Sequence, residues 1–356
     1  MRNLLYWLGP WVNQKRSPRG ITRDSIVVDE EFSMWIYSPR KTTGAMFVIP
    51  GIHYEGPADI RVDRFARVLA DSGMVVGVPF LPSMLDLVMS PKLFTETRKA
   101  FRAFCDHINQ KSGIFSISAS SIAALDLASR EEFTPLINRV MMFGGFSDWS
   151  SALRFAMNGD IGNGDKLVVD PLNLPVIFLN LLPNIAAAPK QSVLFEQTLR
   201  EFICSTWEKE DMSDPQQYIP LAKQLSNKLP DNQKHLFLMA CGATSGGQEL
   251  VKSALLHPDS QMPWLDPIPL LKKVKVPLHI AHGKDDVVVP WLQSVQLFNE
   301  APKDQPKWLH LTGLYHHTGV TGPERLVRLI PKLPLELYQS IRLVKAMYET
   351  GRFAKN

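Results

Sequence analysis

From Ser25 to Phe143, strand-like runs alternate with helix-like runs, and this alternation constrains the fold more than any other feature of the chain. Ser25-Ile26-Val27-Val28 and Phe32-Ser33-Met34-Trp35-Ile36-Tyr37 read as an opening antiparallel pair. Gly44-Ala45-Met46-Phe47-Val48-Ile49 reads as a buried strand, followed by a helical run over 64–70 with Gly73 just past its end. The next strand is 74–78, stopped by Pro79, and 95–108 places Phe101, Phe104, Cys105 and Ile108 on one side of a helix. Gly113-Ile114-Phe115 and 139–143 continue the series. Apolar strands separated by helix-length segments predict an α/β protein, a mostly parallel sheet flanked by helices.

Within that frame, Ser116-Ile117-Ser118-Ala119-Ser120 lies between a strand and the helical run Ser121-Ile122-Ala123-Ala124-Leu125-Asp126-Leu127-Ala128. A serine on a strand-to-helix turn adopts a strained backbone that lifts its Oγ out of the sheet. The usual pattern is G-x-S-x-G, because the residues two before and two after press against neighbouring backbone. Ser116 and Ser120 are small enough for both places. A helix starting at Ala119 would also aim its first N–H groups at an oxyanion. The same letters suit an ordinary helix start with Ser120 as N-cap, so the segment has to be weighed with the rest of the chain.

A nucleophilic serine needs a base, and the base needs an orienting acid. Val276-Pro277-Leu278-His279-Ile280-Ala281 reads as a buried strand running into His282-Gly283-Lys284-Asp285-Asp286-Val287-Val288-Val289-Pro290. Two adjacent carboxylates therefore follow a strand end, although Asp after Gly is also common in solvated turns. A second strand, Lys307-Trp308-Leu309-His310-Leu311, runs into Thr312-Gly313-Leu314-Tyr315-His316-His317-Thr318-Gly319. Either histidine of that loop has an ordinary pKa near working pH and suits a general base. His282 directly precedes the acid turn and reads as structural.

At these residues the chain resembles the α/β-hydrolase superfamily. The tract from His282 to Pro290 is similar to the family's H-G-x-x-D-x-x-V-P acid turn, and the loop from Thr312 to Gly319 to its histidine loop. Matched position by position, the resemblance implies Ser118 as nucleophile, Asp286 as acid with Asp285 as fallback, and His317 as base with His316 as runner-up. Pro50-Gly51-Ile52-His53, after the strand at 44–49, is similar to the family's oxyanion loop. The resemblance assigns one oxyanion N–H to Ala119 and the other to Ile52, with His53 as the alternate or a substrate contact. The elbow departs from the pattern in lacking both glycines, and the oxyanion loop carries Pro50 where many members carry histidine.

The expected organisation is a first part of the core over 1–148, with an N-terminal extension over 1–23, an inserted segment over 149–266, and a second part of the core over 267–356. Over the middle segment the alternation stops, and helical patches such as 193–206 and 218–229 replace it. In the family this place, after the sixth strand, commonly holds a helical cap that excludes water and selects substrate. The tail reads as helices, with Leu337, Ile341, Val344 and Tyr348 at helical spacing and Gly351 as a stop.

Composition excludes several classes. A net charge of +4 without a dense basic run argues against nucleic-acid partners. Three scattered cysteines show no metal spacing or disulfide framework, which fits a reduced, cytoplasmic protein. No tract reaches a spanning length, and no phosphate-binding glycine loop is present. Tyr6, Trp7 and Trp11 suit either a membrane interface or packing onto the domain, and packing is the expectation. The expected activity is cleavage of a carboxylic ester of a small to medium apolar acyl or aryl group through an acyl-enzyme, with no cofactor and no metal. The same triad serves acyltransferases, thioesterases and C–C bond hydrolases, and the missing glycines also suit a catalytically silent binding protein.

Overall fold

The computed structural model describes residues 1–9, 12–162, 164–189, 193–209, 211–257, 262–313, 315–316, 319–320 and 333–353. These divide into two compact units. The first comprises Met1–Asp86, Ser90–Asp148 and Asp266–Asn356, and the second Leu87–Met89 and Trp149–Leu265.

The first unit is built on a sheet of strands β1 (Thr22–Val27), β2 (Ser33–Ser38), β3 (Gly44–Ile49), β4 (Met74–Pro79), β5 (Ser112–Ile117), β6 (Ile137–Phe143), β7 (Leu278–Gly283) and β8 (Lys307–Thr312). Their order is β1-β2-β4-β3-β5-β6-β7-β8. β1 pairs antiparallel with β2 and β2 with β4, and every later neighbour pair is parallel. Every residue of β3 and of β7 is buried, as expected of strands covered on both faces.

The helices of this unit that come before β6 are α1 (Arg2–Leu8), ahead of β1, and α2 (Ile60–Asp71), α3 (Pro82–Leu85), α4 (Lys92–Ile108) and α5 (Ser121–Ala128) between strands. Residues alternate faces along a strand, so β3 splits its side chains. Met46 and Val48 join a core cluster with Leu4 and Leu8 of α1, Val68 and Leu69 of α2, and Leu343, Val344 and Met347 of the C-terminal helix (Leu333–Gly351). Phe47, on the other face, packs against Phe101 and Phe104 of α4 at ring-centroid distances of 5.3 and 5.8 Å.

α1 is held to α2 by polar contacts as well. Trp7 Nε1 donates to Asp71 at 3.1 Å, and Arg64 donates to the Trp7 carbonyl at 2.8 Å. Trp7 thus has a partner inside the unit, while Tyr6 is exposed and Trp11 lies outside the described residues. Among the described residues, no helix is long and apolar enough to cross a membrane.

The second unit consists of helices α6 (Trp149–Asn158), α7 (Asn173–Leu181), α8 (Val193–Thr206), α9 (Pro215–Ser226), α10 (Asp231–Ala240) and α11 (Gly247–Leu255). All nine residues of α7 are buried, the signature of a central helix packed on every side, and its polar Asn173 and Asn180 are hydrogen-bonded within the unit. Asn180 of α7 explains why Leu87–Met89 belongs here. Its Oδ1 accepts the Met89 N–H at 2.8 Å, and its Nδ2 donates to the Leu87 and Val176 carbonyls at 2.8 and 2.9 Å. That three-residue contribution was not expected from the sequence.

The C-terminal helix differs from its sequence reading. Leu337 and Ile341 are 37% and 48% exposed, and the buried line runs through Glu336, Ser340, Leu343, Val344, Met347 and Thr350. Its first half buries polar side chains instead of apolar ones, so the apolar spacing pointed to the wrong face.

Candidate active site

Ser118 immediately follows β5 and has a φ of +57°, in the left-handed region that non-glycine residues rarely enter. Such a conformation costs about 1–3 kcal/mol, so surrounding structure has to enforce it. A single 3₁₀ turn, Ser118–Ser120, leads from there into α5. Ser118 is half-buried, whereas Ser116, Ala119, Ser120 and Ser121 are buried around it.

The two serines in place of glycines behave differently. Ser120 Oγ accepts the Ile117 N–H at 3.1 Å and lies 2.9 Å from the carbonyls of both Ile49 and Ile117, to one of which its proton goes. It thus lies within hydrogen-bond distance of the end of β3 and of its own turn, and is more than a small spacer. Ser116 is fully buried, and its hydroxyl has no partner among the described residues. The turn is also crowded from beyond β6, where a Cβ on Gly145 would come within 2.9 Å of Ser121.

Parallel pairing brings the other segments to the same edge of the sheet. Ile49 pairs with Ser116, so the chain leaving β3 runs beside the chain leaving β5. A Cβ built on Gly51 would lie 3.5 Å from Ser118 Cβ and 3.3 Å from the Ile117 carbonyl. Ile52, the next residue, is half-buried, and Ala119 is buried. The Ala119 N–H falls in the first helical turn, where no preceding carbonyl of the helix can receive it. His53 is buried and stacks on Tyr54 at 4.3 Å. Its Nδ1 accepts the Glu55 N–H at 3.2 Å and lies 3.4 Å from Asp59 Oδ2. Burial alone would raise the Asp59 carboxyl, but hydrogen bonds and charge from Arg61 hold it below the usual range.

Two strands further along, β7 ends at Gly283 beside Thr312 of β8. Asp286 is 1% exposed, and its Oδ1 accepts the N–H groups of Val288 and Val289 at 2.8 and 2.9 Å. Its Oδ2 lies 3.3 Å from His282 Nε2. His282 is fully buried, with Nε2 2.9 Å from the Val289 carbonyl and Nδ1 2.6 Å from Ser294 Oγ on α13, which spans Leu292–Glu300 after the short α12 (Ile268–Leu271). A carbonyl can only accept, so Nε2 carries a proton. The ring thus spans the acid turn from its strand to the next helix. Sequence reading placed His282 as structural but did not find Ser294. Asp285 is half-buried, and among the described residues no side-chain hydrogen bond fixes it.

His317 lies outside the described residues, and His316 is described by its backbone alone. That backbone forms β9 (Tyr315–His316), paired antiparallel with β10 (Gly319–Val320) in a separate two-stranded sheet. The root of the loop, Thr312 and Gly313, is held by Glu336 of the C-terminal helix, a residue the sequence did not single out. No spacing rule would have found it, because its partners are 23 and 24 residues away.

A sheet in this order, with a left-handed serine after β5 and an acid turn after β7, is the α/β-hydrolase fold. No family model and no curated protein matches the chain. Among solved structures it is similar to an acylaminoacyl peptidase of Pyrococcus horikoshii, with 12% identity, 84% of this chain and 37% of that chain covered, and a TM-score of 0.43. The chain thus spans well under half the length of that peptidase. It is also similar to an α/β fold family hydrolase of Bacillus anthracis, with 16% identity, 83% and 93% covered, and a TM-score of 0.43. A Pyrococcus furiosus esterase gives 10% identity, 91% and 90% covered, and a TM-score of 0.48. The fold assignment rests on the sheet order and the Ser118 turn.

Proposed function

We propose that the chain is a serine hydrolase that cleaves carboxylic esters of small to medium apolar acyl or aryl groups. The observation that carries this reading is Ser118, a half-buried serine at φ +57° beside the Gly51 backbone. A non-glycine residue held in that conformation at a strand-to-helix turn presents its Oγ as a nucleophile does. The ordered, buried Asp286 carboxylate on the same edge of the sheet supports it.

Ser118 Oγ attacks the acyl carbonyl while His317 takes its proton. The oxyanion is received by the N–H groups of Ala119 and Ile52, each worth roughly 3–4 kcal/mol in favourable cases. His317 returns the proton to the departing alkoxide, which leaves as the alcohol, and the acyl group stays on Ser118. Asp286 holds the imidazole in the required tautomer and stabilises the imidazolium. Water, activated by the same histidine, then releases the acid and restores the serine.

The test is turnover of p-nitrophenyl esters of increasing chain length by the full chain and by Ser118→Ala. The variant should fold normally and lose on the order of 10⁵–10⁶-fold in kcat. Mass mapping of a fluorophosphonate adduct should place the label on Ser118. Full activity in the variant, or a label on Ser116 or Ser120, would sink the assignment. Absence of both turnover and labelling in the unaltered protein would favour a binding role on the same fold.

A further inference from the structure

One buried carboxylate has no part in the proposed triad. Glu336, on the C-terminal helix, is 2% exposed. Its Oε2 accepts the Gly313 N–H at 2.8 Å and the Thr312 hydroxyl at 3.2 Å, and its Oε1 lies 3.9 Å from Lys284 Nζ. Ser340, one helical turn further on, places its Oγ 3.4 Å from the Thr312 hydroxyl. The Lys284 N–H donates in turn to the Thr312 carbonyl at 2.8 Å. A buried carboxylate is costly unless hydrogen-bonded and matched by charge, so a merely packed helix has no use for one here. Its contacts go to residues at the ends of strands. Lys284 opens the turn that carries Asp286, and from Thr312 and Gly313 the chain runs on to His316 and His317.

We propose that Glu336 is a positioning residue that locks the roots of the acid turn and the histidine loop to each other. The proposal rests on the hydrolase reading above. The proposed acid and base follow different strands in the chain, β7 and β8, so their alignment depends on the relative placement of two loop roots. Pairing of Gly283 with Thr312 sets that placement within the sheet, and it ends where the strands end. Glu336 continues the fixation beyond the last pair, from an element that itself packs on the sheet core. Its absence would release the histidine loop by a displacement small in distance and large in rate, since about 1 Å at a reacting group can cost about 100-fold.

The experiment compares steady-state ester hydrolysis by the full chain and five variants. Glu336→Leu should lower kcat about 10- to 100-fold while KM stays within about twofold, because the lost interaction aligns the reacting groups without touching substrate. Glu336→Gln keeps an oxygen for the Gly313 N–H and should recover most of that rate. Leu343→Ala, on the same helix and in the core cluster, should lower thermal stability and leave kcat unchanged. Thr312→Val removes one contact and should fall between wild type and Glu336→Leu, and it serves as the test if Glu336→Leu does not fold. A kcat for Glu336→Leu within about twofold of wild type, or an equal loss in Leu343→Ala, would overturn the proposal. Full turnover by Ser118→Ala would overturn the hydrolase reading and this proposal with it. A silent Ser118→Ala beside an unaffected Glu336→Leu would overturn this proposal alone.

Discussion

His282 and His279 stand three residues apart on β7, and the odd spacing turns them to opposite faces of the sheet. His282, at the carboxyl end, faces α13 and has a partner for each ring nitrogen. His279 lies on the face of the C-terminal helix, further back along the strand. Its Nδ1 is 3.2 Å from His310 Nε2 on β8, and its ring stacks on Trp308 at 4.6 Å. The remaining nitrogens, His279 Nε2 and His310 Nδ1, have no partner among the described residues. Burial pushes His279 down to about 3, helped by the nearby His310 and Arg139, and pushes His310 down to about 4, helped by Arg342. The same side chain on the same strand thus shapes a turn at the sheet edge and fills space in the interior. Location along a parallel strand, more than residue type, separates the two roles.

On this comparison, the largest effect is expected at Asp286, beside His282. Asp286→Asn keeps an oxygen for the N–H groups of Val288 and Val289, but it withdraws the charge that the proposed mechanism uses to hold the imidazole. Activity should fall roughly 10³–10⁴-fold in kcat/KM, with a stability change of only about 1 kcal/mol. A variant that unfolds while any residual folded fraction keeps full activity would make the edge as structural as the interior. Next in size is His282→Ala. It strands the Ser294 hydroxyl and the Val289 carbonyl in a place with no solvent access, which should cost about 2–4 kcal/mol in urea unfolding. It should also lower kcat, because Asp286 loses a neighbour on Oδ2. Loss of stability without loss of kcat would show that the ring supports the turn and does nothing for the acid.

The core was readable because its signals are local. The strand at 44–49 is an unbroken apolar run closed by Pro50, and the helix at 193–206 carries its own period. The strand-to-helix turn at Ser118 was readable from small residues between a strand and a helix, and the turn at Asp286 from a carboxylate between Gly283 and Pro290. What escaped is set by distance in the sequence. Ser120 read as a spacer because its partner carbonyl, Ile49, lies 71 residues earlier on another strand. Glu336 was hidden because the buried face of its helix is polar there, so the apolar spacing of Leu337 and Ile341 pointed to a neighbouring, exposed side. α7 offered no period at all, since a helix buried on every side shows a plain apolar run. His279 and His310 looked like ordinary strand residues, and their contact follows only from the pairing of β7 with β8.

The smallest expected effect at neutral pH is at that interior pair, and it turns large only in acid. In the unfolded chain both histidines titrate near 6.5, whereas in the fold their values lie at about 3 and about 4. The unfolded state therefore binds more protons between these limits. The contribution of the neutral rings is fully present above about pH 6.5 and is lost as pH falls toward the folded values. Each ring adds a slope of up to about 1.4 kcal/mol per pH unit over that window. Replacing both by leucine removes two unpartnered nitrogens from the interior. His279→Leu/His310→Leu should stay within about 1 kcal/mol of wild type at pH 7.5, or gain stability, with kcat unchanged. Below pH 6 the same variant should outlast wild type, because the proton-linked loss has gone. Urea midpoints from pH 7.5 to 4.5 would show the two curves diverging as pH falls. Parallel curves would mean that other groups carry the acid sensitivity, and a tenfold drop in kcat at pH 7.5 would show that the interior face of β7 is tied to the edge after all.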